Sequence, residues 1–359
     1  MSTTAARIEV SHPGGTYDYW VGHDLLGAHR ELAGIEGPTA IVTDETTAGH
    51  FLGACGEADL VIVLPSGRLE KTLATVQKVH RKLLDARLDR STTLVSLGDS
   101  IIGDVTAFAA ATYLRGIDVV HIPTELIAMI DTSVGGKVGL DVPHGRNLIG
   151  LFKQPRAVIA DVTTLRSLSP TVFSAGMSEV VKHALIEGED MTRRIETSQW
   201  DSVESTTGGS TDDLEDLVAR AVQVKVDIVA EDPLDEARRQ VLNLGHTFAY
   251  AFESAMLGDV SHGEAVGIGL VAASKLSARI GLCDSSLHDR VRHLVRHVGQ
   301  QSSLPRPIAM EAVDRAFAHD KKRRGEEQRF VLLERIGSPV VMAVDDRAAV
   351  LDAIESVQP

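Results

Sequence analysis

The chain is predicted to join an α/β fold to an all-α one, with a mostly parallel sheet over residues 1–164 and a helical domain over 165–359. Three observations carry this. Short β-rich apolar runs alternate with helical patterns up to about Leu165, and helical spacing dominates beyond it. The third is length, since 359 residues exceed one ordinary compact core.

Residues 39–43 (T-A-I-V-T) and 60–64 (L-V-I-V-L) are apolar runs that end in polar or Pro-containing turns, as strands of a buried parallel sheet do. Between residues 70 and 88, Leu73, Val76, Val79, Leu83 and Leu84 recur at helical spacing. A strand follows at 92–97, then G-D-S-I-I-G-D leads into the small-residue helix V-T-A-F-A-A-A-T-Y-L and a strand at 119–122. Strand, helix, strand with Gly at the turn is the logic of a nucleotide-binding sheet. The turn at Gly98 and Gly103 lets backbone approach a pyrophosphate at a helix start, or is simply a turn, since G-x-G-x-x-G is absent.

Next, a Gly-Gly-Lys turn and a Gly-Arg-Asn turn place Lys137, Arg146 and Asn147 in loops that suit an anion cradle. In S-A-G-M-S-E-V-V-K-H-A-L-I, Met177, Val180, Val181, Ala184 and Leu185 form a buried stripe. Glu179 and Lys182 sit three apart on one flank, a spacing that also suits a surface ion pair. Residues 205–216 read as an exposed loop entering a capped helix, and H-D-K-K-R-R reads as a solvated charge cluster able to supply one phosphate contact.

A net charge of -14 argues against nucleic-acid and anionic-membrane partners, yet leaves room for a small anionic substrate held by a local Lys/Arg cluster. Cys55 and Cys283 lie far apart without C-x-x-C spacing, and no apolar signal core or spanning segment is seen, so a reduced cytoplasmic location is expected. Chemistry concentrates in 235–264, where His246 lies on an apolar helical segment and His262 follows sixteen residues later in a polar turn. With Glu179 they make the two-imidazole, one-carboxylate donor set of a catalytic zinc site with an open position. A core histidine and a surface histidine would give the same spacing.

The order R-G-x-D, P-T-x-L-x-A-x-x-D-x-S-x-G-G-K, G-R-N-L-I-G, Q-P-x-A-V, S-E-V-V-K, N-L-G-H-T-F, S-H-G-E-A-V and D-K-K resembles the 3-dehydroquinate synthase and sugar phosphate cyclase family over roughly residues 60–333. The resemblance implies the fold of that family, with a nucleotide-binding α/β domain, a helical domain and the site in a cleft between them. It implies Zn2+ (or Co2+) on Glu179, His246 and His262, and NAD near Asp44, Lys71, Gly98, Asp104, Thr124 and Arg146. Substrate and catalytic contacts carry over to Asp131, Lys137, Asn147, Lys182, Lys225, Asp235, Arg239 and Asn243, with one of Lys321 and Lys322 at the phosphate. Arg115 would reach the site of the other subunit in a homodimer. The implied chemistry is redox-neutral: hydride passes to NAD and back, phosphate leaves, and the opened ring closes by an internal aldol step.

Five departures from the family pattern shape the expectation. Gly98-Asp99-Ser100 replaces a Gly-Gly-Gly turn and puts a carboxylate where pyrophosphate would lie. Glu125 replaces a Thr, and Arg68 replaces a Glu near the cofactor ribose. Tyr250 replaces a His associated with phosphate and proton transfer; a phenol with a pKa near 10 donates a hydrogen bond but is a poor base at neutral pH. Finally, an acidic residue is shortened to Asp235. The expected function is phosphate-eliminating cyclisation of a heptulosonate 7-phosphate, with the 4-amino analogue of 3-deoxy-arabino-heptulosonate 7-phosphate, a precursor for aminoshikimate-type secondary metabolism, as the specific candidate. Lys225 and Arg239 favour a carboxylated substrate. Ordinary 3-dehydroquinate synthase, a metal-dependent polyol dehydrogenase and a non-catalytic paralogue are the alternatives.

Overall fold

The computed structural model describes residues 5–200, 211–256, 258–318 and 328–359. Contacts divide the chain into two units, Met1–Leu168 with Thr211–Pro233, and Ser169–Ser210 with Leu234–Pro359. A single cut at Leu165 does not describe this division, because the Thr211–Glu231 helix packs on the sheet of the first unit. Its apolar residues Leu217, Val218, Ala221 and Val222 are buried there. Residues 205–210 of the expected loop lie outside the described residues.

The strands of the first unit are β1 (Ala6–His12), β2 (Gly15–Gly22), β3 (Thr39–Asp44), β4 (Leu60–Leu64), β5 (Thr93–Gly98), β6 (Asp118–Pro123), β7 (Lys137–Val142), β8 (Gly145–Phe152) and β9 (Ala157–Asp161). Seven form one sheet in the order β1-β2-β9-β6-β5-β3-β4, parallel except for the β1-β2 hairpin. The expected mostly parallel sheet is present. Strands β3, β5 and β9 are buried along their whole length, which explains their mainly apolar sequences. Ala40, Val42 and Leu94 face the Leu73–Asp85 and Ser100–Thr112 helices, while Ile41, Val95 and Leu97 pack on the opposite face with Leu25, Leu26 and Ile122.

Lys137, Arg146 and Asn147 do not lie in two loops. They belong to the antiparallel β7-β8 hairpin, with Lys137 opposite Phe152 and Val142 opposite Gly145. Gly150 permits this pairing, since a Cβ there would meet the Val138 carbonyl at 2.5 Å.

The second unit is mainly helical, as expected, with one hairpin of β10 (Arg329–Arg335) and β11 (Ser338–Ala343). Its central helix, His262–Arg279, packs on Pro170–Glu187, His246–Met256, Ser285–His297 and Arg347–Glu355. Glycines allow the close crossings. A Cβ on Gly263 would stand 2.2 Å from the Ala175 carbonyl oxygen, and one on Gly269 would stand 2.3 Å from that of Gly245. Among the described residues no helix is long and apolar enough to cross a membrane.

Gly269→Ala should therefore force this helix away from the Gly245 turn and cost about 1–3 kcal/mol, read as a lower denaturant midpoint. Gly49→Ala, where nothing lies within 4 Å, should leave the midpoint unchanged or raise it.

Candidate active site

Glu179 sits in the middle of the Pro170–Glu187 helix, which starts at a Ser169 cap with Pro170 at its first position. Every residue from Phe173 to Ile186 is buried, so the expected one-sided stripe is replaced by a helix walled in all round. The Glu179–Lys182 pair is accordingly not at the surface. The two side chains are 0% and 1% exposed, with Lys182 Nζ 2.6 Å from Glu179 Oε2.

Two helix starts bring imidazoles to the other carboxylate oxygen. His246 follows Gly245, whose φ of +79° turns the chain out of the Arg238–Asn243 3-10 segment into the His246–Met256 helix. His262 opens its helix behind a capping box in which Ser261 and Glu264 satisfy each other's backbone N–H groups. His246 Nε2 and His262 Nε2 lie 3.4 and 3.6 Å from Glu179 Oε1, and one ligand atom from each of the three residues falls within 4.8 Å of the others. A tetrahedral ion with bonds of about 2.0–2.1 Å sets its ligands about 3.3–3.4 Å apart, so the donor set fits Zn2+ or a similar ion. Burial pushes the His246 pKa down, which favours the neutral ring a metal requires.

Partners behind the rings fix which nitrogen faces inward. His246 Nδ1 lies 3.2 Å from the Leu244 carbonyl, and His262 Nδ1 lies 3.3 Å from the Glu253 carboxylate. With Nδ1 donating, each Nε2 keeps its lone pair toward Glu179. Sequence reasoning missed Glu253. The signal was its position on the same helical face as His246 and Tyr250, at spacings of seven and three. Tyr250 stacks on His262 with centroids 6.0 Å apart and stands edge-on to His246 at 5.6 Å. In the same unit Arg239 is buried, Asn243 donates to the Gln240 carbonyl, and Asp235 adopts a positive φ of 62°.

The first unit gathers a second set of groups. From β3 the chain passes to β4 on one side and later to β5 on the other, so the carboxyl ends of β3 and β5 form a topological switch point, the usual ligand crevice of such sheets. Asp44 ends β3 but is occupied in holding its own loop. It accepts from the Thr46 and Thr47 amides and from the Thr47 and Ser66 hydroxyls. Burial raises its pKa, and these hydrogen bonds outweigh burial and leave the carboxyl below its ordinary value.

At the end of β5, Gly98 is required by its own helix: a Cβ would come 2.9 Å from that of Ile102. Asp99 caps this helix, accepting from the Ile101 and Ile102 amides at 3.0 and 2.9 Å, and Glu125 accepts from the Ser100 amide at 3.0 Å. Thr124 donates its amide to the Gly98 carbonyl. Beside this switch point, a crevice over the ends of β5 and β6 is lined by Gly98, Asp99, Ser100, Asp104, Lys137 and also Lys153, which sequence reasoning missed. Lys153 immediately follows β8, where its amide donates to the Gly136 carbonyl, and it lines the same crevice as Lys137. In position the crevice fits a dinucleotide, and the two carboxylates already occupy its helix start.

Lys71 pairs with Asp104, and Lys225 contacts both the carboxylate and the carbonyl of Asp131. Asp141 binds Arg68 at 3.1 Å and receives the Asn147 amide at 2.9 Å, Asn147 having a positive φ of 52°. Arg146 is half-buried on β8, and Arg115 is exposed at a turn where Leu114 and Arg115 both adopt positive φ, 47° and 72°. Lys321 and Lys322, with the rest of the basic run, lie outside the described residues.

The metal assignment has a direct check. Titrated with Co2+, the protein should bind one ion and show the intense visible bands of a four-coordinate site, and His262→Ala should abolish them. Glu253→Ala should keep the bands and weaken binding about 10–100-fold, because His262 loses the partner that orients it.

Two family models cover most of the chain: 3-dehydroquinate synthase N-terminal over residues 61–175 and 3-dehydroquinate synthase C-terminal over 176–323. The 3-dehydroquinate synthase of Acidithiobacillus ferrooxidans (strain ATCC 53993 / BNL-5-31) is 39% identical over 331 residues, 89% of each chain. Among solved structures, 2-deoxy-scyllo-inosose synthase complexed with carbaglucose-6-phosphate, NAD+ and Co2+ superposes with a TM-score of 0.87 at 23% identity, covering 97% of this chain and 99% of that one. The 2-epi-5-epi-valiolone synthase of Streptomyces hygroscopicus subsp. jinggangensis 5008, with NAD+ and Zn2+ bound, gives 0.87 at 24% identity and 98% of both chains. At such identities these two establish the fold; the family models and the curated relative establish that the chain belongs to the 3-dehydroquinate synthase family.

Proposed function

We propose that the chain is a phosphate-eliminating cyclase acting on a heptulosonate 7-phosphate, with the 4-amino analogue of 3-deoxy-arabino-heptulosonate 7-phosphate as its substrate and aminodehydroquinate as its product. The observation that carries the reading is the convergence of Glu179, His246 and His262, supported by the structural neighbours crystallised with NAD+ and Co2+ or Zn2+. Bound here, a divalent ion supplies Lewis acidity toward a ring carbinol and NAD supplies a transient hydride acceptor.

The chain's own residues do the rest. His246 and His262 hold their Nε2 atoms inward, and the buried Lys182 ammonium balances Glu179. Lys137 and Asn147 provide positive charge and an amide for the substrate phosphate, and Lys225 and Arg239 provide cations for its carboxylate. Asp131, already in contact with Lys225, orients that ammonium. Tyr250, 41% exposed beside both histidines, donates a hydrogen bond and does not take a proton at neutral pH. Lys71, Asp104, Thr124 and Arg146 serve the NAD side, and Asp235 and Asn243 the substrate side. The substitution of Tyr250 for a basic residue motivates the aminated substrate.

The unaminated substrate is the second reading, favoured by the names of the relatives at about 39% identity. We read the enzyme as a homodimer in which the strained Leu114–Arg115 turn presents Arg115 to the other subunit; strain of this kind persists where it is used.

The test offers both heptulosonate phosphates to the zinc-loaded protein with NAD, following phosphate release together with NADH absorbance. Preferential release from the aminated substrate with no lasting NADH is expected. Release from the unaminated substrate alone would overturn the substrate assignment, and steady NADH accumulation would overturn the cyclase in favour of a dehydrogenase.

A further inference from the structure

The N-terminus of the Ser100–Thr112 helix opens at the switch point of the sheet, where backbone amides ordinarily receive a dinucleotide's pyrophosphate. Here its first three amides are already engaged. Asp99 Oδ1 takes those of Ile101 and Ile102, and Glu125 Oε1 takes that of Ser100, all at 2.9–3.0 Å. Two carboxylates therefore lie where two phosphate charges would have to come, competing for the same donors and repelling their replacement. The carboxylates are supplied by separate elements, one by the β5 turn and one by the segment after β6. Burial raises the Asp99 pKa, as does the nearby Asp44 carboxylate, while the two amides and Lys71 oppose the shift.

We propose that Asp99 and Glu125 act as an internal competitor for the cofactor's pyrophosphate, so that they set the NAD affinity of this chain and hold it low. The inference rests on the reading that the chain binds NAD. The helix start is closed by its own anions, and the dinucleotide binds only by displacing them from the amides. Capping and charge are separable at this turn, because Asn caps a helix as well as Asp does.

NAD affinity is measured by calorimetry for the full-length protein and for Asp99→Asn, Asp99→Gly and Glu125→Gln, with adenosine as a probe that lacks phosphate. Unfolding midpoints confirm that each variant is folded. Asp99→Asn and Glu125→Gln should each bind NAD roughly tenfold more tightly, about 1.4 kcal/mol, with adenosine affinity unchanged and the gain shrinking as salt rises. Asp99→Gly should also tighten binding, since it clears two amides. If the unaltered protein binds NAD as tightly as these variants, the competitor is overturned and the NAD reading stands. If no form binds NAD, the cofactor reading fails and this inference falls with it.

Discussion

The burial of one carboxylate constrains the second unit more than any other interaction. Glu179 is fully enclosed within a helix that is itself enclosed, and an isolated charge in such a place costs several kcal/mol. The surroundings answer it on both oxygens, with Lys182 at Oε2 and two imidazoles at Oε1. Each partner then has a requirement of its own. The imidazoles must start helices, which needs the left-handed turn at Gly245 and the capping box at Ser261. Those helices must also approach closely, which needs hydrogen in place of a side chain at Gly263 and Gly269. Packing, capping and ligand geometry are thus one set of constraints.

Charge placement also distinguishes the nucleotide crevice. A parallel sheet with a switch point would offer free amides at the start of its helix, and topology alone says as much. In this chain Asp99 and Glu125 take up those amides, and Asp44 is spent on its own turn. The crevice keeps its cations, Lys137 and Lys153 among its lining. Its local electrostatics therefore depart from what the fold alone would supply.

Much of this was legible in the sequence, and the limits have physical reasons. The strand near 39–44 shows as an apolar run because both of its faces are buried, whereas 60–64 is as apolar in sequence yet, at the sheet edge, leaves Val61 and Val63 exposed. The convergence of Glu179, His246 and His262 was legible because two imidazoles and a carboxylate are a narrow and recognisable donor set. The β7-β8 hairpin was read as loops because Gly135 and Gly136 just before β7 and Gly145 at the start of β8, all with positive φ, look like loop residues in one dimension. The Glu179–Lys182 spacing fits a surface pair as well as a buried one, and only the packing of neighbouring helices decides. The return of Thr211–Glu231 to the first unit depends on long-range contacts that no local pattern encodes. Glu253 and Lys153 were missed because their roles come from neighbours: one stands behind a ligand, the other lines the same crevice as Lys137.

The central claim is that one divalent ion is held by Glu179, His246 and His262. Anomalous scattering measured on either side of the zinc absorption edge, from crystals of the zinc-loaded protein, tests it most directly. The expected result is a single strong peak about 2.0–2.2 Å from a Glu179 oxygen and from both Nε2 atoms. A peak coordinated elsewhere, or none at this cluster, would contradict the account.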